Sequence, residues 1–119
     1  MSNILIADAN GRRRIQIEAL AQANGHHTYS VGTLAEAMRY AEIYVPEVLI
    51  AAESLPDANL DAIISALRSS ERQFVRNLPI VTSGKAQYAD QNVTVARNNT
   101  AAALVVEAES VLSKSGVVA

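Results

Sequence analysis

The chain has no cysteine and no tryptophan, and aromatic residues make up only 4% of it. Without cysteine there is no disulfide, no thiol nucleophile and no cysteine-ligated zinc. With so few aromatics, the core must be built from Ala, Val, Ile and Leu. Charge of one sign is scarce too: ten Lys and Arg face twelve Asp and Glu, for a net charge of −2. The one basic run, Arg12-Arg13-Arg14, is too short to make a nucleic-acid surface or a polybasic membrane anchor, so neither partner is expected. No apolar run approaches the roughly 20 residues that cross a bilayer. The N-terminus lacks the basic-then-apolar pattern of a secretory signal, so the expected location is the cytoplasm.

What is present is a chain of 119 residues, half of them apolar. That composition reads as globular, and the length favours one domain over residues 1–119. Asn3 to Asp8 (NILIAD) is a short apolar run stopped by a polar turn, the pattern of a buried strand. From Arg12 to Asn24 the spacing becomes helical, with Ile17, Leu20 and Ala21 on one face and Gly25 suited to the turn that follows. Thr28 to Val31 is a weaker strand. Thr33-Leu34-Ala35-Glu36 fits a capping box that opens a second helix. This helix runs to about Tyr44, where Pro46 forbids its continuation. Glu47 to Ala52 (EVLIAA) is apolar on both faces, as in a parallel sheet covered on two sides. Leu60, Ile63, Ile64 and Leu67 make the core stripe of a third helix. Leu78 to Thr82 and Asn92 to Ala96 read as two more strands around a short polar segment at 85–90. A last helix, capped by Asn98-Asn99-Thr100, runs to about Ser115 and stops at Gly116.

Five βα repeats predict an α/β fold, a doubly wound five-stranded parallel sheet with helices on both faces. Working groups in such sheets sit at the carboxyl ends of the strands. Here those ends are Asp8, Ala52 to Ser54, Thr82-Ser83 and Ala96-Arg97.

These segments resemble the receiver domains of response regulators, the CheY-like branch of the flavodoxin-like folds. Ile4 to Ala9 matches the strand that ends in an acidic pair, with Asp8 at the first acidic position and Ala9 at the second. Pro46 to Asn59 (PEVLIAAESLPDAN) is similar to the phosphoacceptor stretch and puts Ala52 where the family has its aspartate. Leu78 to Ser83 resembles the family's fourth strand with its hydroxyl residue, which is Thr82 or Ser83 here. Arg97-Asn98 stands for the Lys-Pro pair. The segment between the fourth and fifth strands is short, so the fourth helix is expected to be short or absent.

The resemblance implies a degenerate phosphorylation site made of Asp8, Ala9, Ala52, Thr82, Ser83 and Arg97. A hard divalent cation wants carboxylates, and Asp8 alone is a poor site for one. Ala52 offers no nucleophile. The expectation is a non-enzymatic pseudo-receiver with no metal and no cofactor, acting through proteins. A histidine kinase, a phosphotransfer protein or another signalling protein is the expected partner. Arg12, Arg13 and Arg14 on the first helix are candidate docking residues. On the last helix, Val106 lies off the core stripe and suggests a homodimer face. Val117-Val118 after the helix extends that hint. Asp8 needs a partner if buried, and either Arg97 supplies it or Arg97 points to solvent. The alternative function is a small ligand-binding domain or enzyme with an anion or small-molecule site near Asp8, Thr82 and Arg97.

Overall fold

The computed structural model describes residues 2–83, 90 and 92–114. The elements run β1 (Asn3–Ala7), α1 (Gly11–Ala23), β2 (His27–Val31), α2 (Leu34–Tyr44), β3 (Val48–Ala51), β4 (Ser54–Leu55), β5 (Ala58–Asn59), α3 (Leu60–Arg68), α4 (Gln73–Arg76), β6 (Ile80–Thr82), β7 (Val93–Val95) and α5 (Ala101–Lys114). Five strands form one parallel sheet in the order β2-β1-β3-β6-β7, and β4 with β5 is a separate two-residue hairpin. This is the doubly wound topology that the βα alternation predicts.

The alternation along each strand divides the core in two. Leu5, Ala7, Leu49 and Ala51 pack against Ala37, Ala41, Leu60, Ile63 and Leu67 of α2 and α3. Ile4, Ile6, Val48 and Ile50 pack against Ile17 and Ala21 of α1 and Leu104, Val105 and Ala108 of α5. Both faces of β1 and β3 are therefore dry, which is why their sequences show no polar alternation. The expected core stripes of α1 and α3 are the ones found, and α5 buries Leu104, Val105, Ala108 and Leu112, with Val111 packed against the second cluster from a half-buried position. Val106 is 63% exposed.

Helix starts follow local chemistry. The side chains of Asn10, Thr33 and Asn59 accept hydrogen bonds from the N–H groups of Arg13, Glu36 and Ala62. The capping box at Thr33 is present in altered form. The Glu36 carboxylate reaches the N–H of Gly32 at 3.2 Å rather than that of Thr33. Gly25, at φ +90°, turns the chain after α1 as expected.

Two elements were not foreseen. Helix α4 is one turn between α3 and β6, too short for periodicity to register. The β4–β5 hairpin lies within the Pro46 to Asn59 stretch, where each of its strands is only two residues long. The fourth helix expected to be short or absent falls on residues 84–89, and these, like Ser115, Gly116 and Val117-Val118, lie outside the described residues.

Helix α2 ends with strain. Pro46 disfavours a right-handed helical conformation at the residue before it, and Val45 takes φ 47°, ψ 60°. A β-branched side chain in the left-handed region is costly, by about 1–2 kcal/mol against right-handed backbone. Glycine removes that cost but gives back part of it through greater freedom in the unfolded chain. Val45→Gly is therefore expected to stabilise the fold by about 0.5–1 kcal/mol, read as a higher urea midpoint at unchanged slope.

Candidate functional site

Asp8 follows β1 and belongs to the α1/α5 face of the sheet, like Ile4 and Ile6. It is only 3% exposed. A carboxylate so buried requires a counter-charge, and α1 provides it. The Arg13 guanidinium grips Asp8 with two bonds: Nε donates to Oδ2 at 2.5 Å and Nη2 donates to Oδ1 at 3.0 Å. The Asn10 N–H also donates to Oδ1, at 2.8 Å. Arg14 adds a further bond, its Nη1 donating to the Asp8 carbonyl at 2.9 Å. Its guanidinium passes so close to Gly32 that a Cβ there would meet Nη1 at 3.2 Å. The hydrogen bond to Asp8 raises the Arg13 pKa above its ordinary value, against a smaller opposing effect of burial.

Of the two alternatives for Arg97, the structure shows the second: Arg13, not Arg97, pairs with Asp8. Arg97 is exposed and no ion pair involves it among the described residues. It also changes the reading of the arginine run. Arg13 and Arg14 turn inward onto Asp8, and Arg12 alone of the three stays exposed.

Asp8 and Arg13 form one wall of a cavity of about 250 Å³ at the carboxyl ends of the strands. Glu53, Ser54, Ser83 and Asn99 are its other polar lining residues, and Ala51, Ala52, Ile50 and Leu104 are among the apolar ones. Asp8, Ala52 and Ser83 thus meet as the strand ends predict. Ala9 is exposed and is not part of the lining. Thr82 is fully buried and its hydroxyl donates to the Ser83 carbonyl at 3.1 Å, so Ser83 is the hydroxyl residue that faces the cavity. Glu53 lines it as well. Strict strand alternation would turn Glu53 away from Ala52, but β3 ends at Ala51 and the rule lapses there.

A second cleft, of about 310 Å³, lies beside the first between the starts of α1 and α5. Arg12, Gln16 and Thr100 are among its lining residues, and Arg13 and Asn99 line both spaces.

Asp57 has a structural task. Its carboxylate accepts from the N–H groups of Leu34 at 2.8 Å and Ala35 at 3.2 Å, at the start of α2. The Leu34 bond leads the causes that lower its pKa. Among the described residues there is no cluster of three acidic or histidine side chains able to hold a metal, and no helix is long and apolar enough to cross a membrane. His26 and His27 do not act together: His26 Nε2 lies 3.0 Å from Glu109 Oε2, whereas His27 is exposed.

No family model matches the chain, and no curated protein does. Solved structures do. The signal receiver domain of a histidine kinase from Syntrophus aciditrophicus aligns with all of this chain and 96% of its own, at TM-score 0.80 and 15% identity. The chemotaxis response regulator CheY4 of Vibrio cholerae aligns over 94% of this chain and 99% of its own, at TM-score 0.77 and 16% identity. A two-component response regulator from Clostridium difficile aligns over 98% and 99%, at TM-score 0.76 and 15% identity. The chain therefore has the CheY-like fold of response-regulator receiver domains.

Proposed function

We propose that this protein is a pseudo-receiver: a cytoplasmic, non-enzymatic interaction module of two-component signalling that works without phosphorylation. The observation that carries this reading is the Arg13–Asp8 pair. In a receiver, the acidic end of the first strand helps to hold a divalent cation beside the phosphoacceptor. Here the remaining carboxylate is engaged by a guanidinium from the helix that follows it, and the phosphoacceptor position is Ala52. A permanent internal cation supplies the charge balance that a metal would otherwise bring. Signalling then depends on surfaces rather than on a covalent state, and Arg12 beside the α1/α5 cleft is a candidate contact for an acidic partner such as a kinase or phosphotransfer domain.

The test is incubation with acetyl phosphate and magnesium, followed by intact-mass measurement. The expected result is no added phosphoryl group, and Arg12→Glu weakening binding to the cognate kinase or phosphotransfer protein. A stable phosphoryl adduct on this chain would overturn the reading.

A second reading, a small-molecule site, is favoured by one observation. Ser83 is 9% exposed and lines the cavity, and its hydroxyl has no hydrogen-bond partner among the described residues. Of the strand-end residues expected at such a site, Asp8 and Ser54 line the cavity, whereas Thr82 and Arg97 do not.

A further inference from the structure

Strand β2 is an edge of the sheet, and natural edge strands are commonly blunted by Lys, Pro, inward charges or bulges. The sequence of β2, His27-Thr28-Tyr29-Ser30-Val31, has no proline and no acidic, lysine or arginine residue. Its pairing with β1 is regular through all five positions, without a bulge.

The free hydrogen-bonding groups of this edge can be identified. The His27 N–H donates to the Ser2 carbonyl at 2.9 Å, and the Val31 carbonyl accepts from the Asp8 N–H at 3.0 Å. Odd-numbered residues of β2 therefore turn their backbone groups toward β1. In a parallel ladder the intervening residues turn theirs away. Thr28 and Ser30 consequently present two N–H and two C=O groups outward, with no backbone partner among the described residues.

Beside this edge lies an apolar patch. Tyr44 stacks on Tyr29 with ring centroids 4.1 Å apart, and Tyr40 meets Tyr44 edge-on at 5.3 Å. Ile43, Tyr44 and Val45 are three consecutive exposed apolar residues. Val45 is the residue in the left-handed conformation, and strain of that kind concentrates where a surface is used.

We infer that β2 is a dimerisation edge whose occupant is β2 of a second copy of this chain. A twofold axis at Tyr29 pairs the two strands antiparallel. Thr28 of each copy then faces Ser30 of the other as a hydrogen-bonded pair, which satisfies all the outward backbone groups with four bonds. The interface is isologous, the form that closes at two subunits. The strands meet without like charges, because Thr28, Tyr29 and Ser30 are neutral. The two Tyr29 side chains fall on the same face of the joined sheet, each backed by its own Tyr44. The product is one continuous sheet of ten strands. This goes beyond the pseudo-receiver reading and leaves the α5 face, first considered for a homodimer, to other uses.

The absence of cysteine makes the test clean. Tyr29 faces itself as a non-hydrogen-bonded pair, with Cα atoms about 4.5 Å apart, inside the range of about 4.4–6.8 Å that a disulfide spans. Tyr29→Cys is expected to give a disulfide-linked dimer on mild oxidation, whereas Val106→Cys on α5 is not. The unmodified protein is expected to double its light-scattering mass with rising concentration. Ser30→Pro deletes one outward donor without touching the β1 ladder, and Tyr44→Lys places like charges beside the axis. Each is expected to raise the dimer dissociation constant at least tenfold, with circular dichroism confirming the fold. The proposal is overturned by a monomeric mass at every concentration, by a dimer indifferent to both substitutions, or by cross-linking through Val106 instead of Tyr29.

Discussion

Replacing Arg13 by alanine is expected to lower the free energy of unfolding by about 3 kcal/mol, because it leaves an uncompensated charge at a buried position. In a chain of this size that corresponds to a fall of about 10 °C in Tm. Asp8 keeps its hydrogen bond from the Asn10 N–H, which holds the loss near the lower end of the range for broken buried pairs. The reverse substitution is gentler. Arg13 is 29% exposed, so in Asp8→Asn its guanidinium can turn to water while the isosteric amide still accepts the Asn10 N–H through its oxygen. The expected order of stability is wild type, then Asp8→Asn, then Arg13→Ala, measured by thermal and urea unfolding near neutral pH. Equal losses from the two substitutions would mean that the pair contributes by packing and not by charge.

The second large effect is expected at Arg68, the last residue of α3. Its guanidinium donates to both oxygens of Asp90, at 2.6 and 3.2 Å, and to the carbonyls of Arg76 and Leu78, at 3.1 and 2.8 Å. One side chain thus ties α3 to the end of α4, to the loop after it and to the approach to β7. Arg68→Ala is expected to cost about 2–3 kcal/mol, since bonds of this charge-assisted kind are each worth more than neutral ones. Arg68→Lys should recover less than half of it, because an ammonium cannot reproduce the planar fork.

The same pair sets an acid limit. The hydrogen bond from Arg68 is the first of the causes that hold the Asp90 pKa below its ordinary value. The folded state therefore binds that proton more weakly than the unfolded chain. The stabilisation is complete above the ordinary aspartate value of about 3.9 and is lost as pH falls through the lower folded value. Asp57, lowered by its bonds at the start of α2, acts in the same direction. The stability difference between wild type and Arg68→Ala should accordingly shrink as pH drops below about 4. A difference that persisted unchanged at pH 2 would contradict this origin.

The parallel sheet and the core stripes of the helices were legible because the strands carry apolar runs and the helices carry i, i+3, i+4 spacing, signals that burial itself imposes. Helix α4 and the β4–β5 hairpin were not legible, since neither completes a period. At the site, the positions of Asp8, Ala52 and Ser83 followed from strand ends alone. The pairing of Asp8 did not. Arg97 was a candidate because the strand ends converge, but convergence does not fix which way a side chain turns. A local signal was present and pointed to Arg13. Asn10 caps α1, which makes Arg13 the third helical residue, and side chains at that position reach back over the helix start. Asp8 lies two residues before the cap, within that reach.

The aliphatic core has an optical consequence. The protein lacks tryptophan, and three of its four tyrosines, Tyr29, Tyr40 and Tyr44, are gathered at the β2 edge. Intrinsic ultraviolet fluorescence and near-ultraviolet circular dichroism therefore report mainly on that edge, and the packing between α1 and α5 contributes almost nothing to them. A ligand entering the Asp8 cavity could leave both spectra unchanged, while an event at the β2 rim should alter them without any added label.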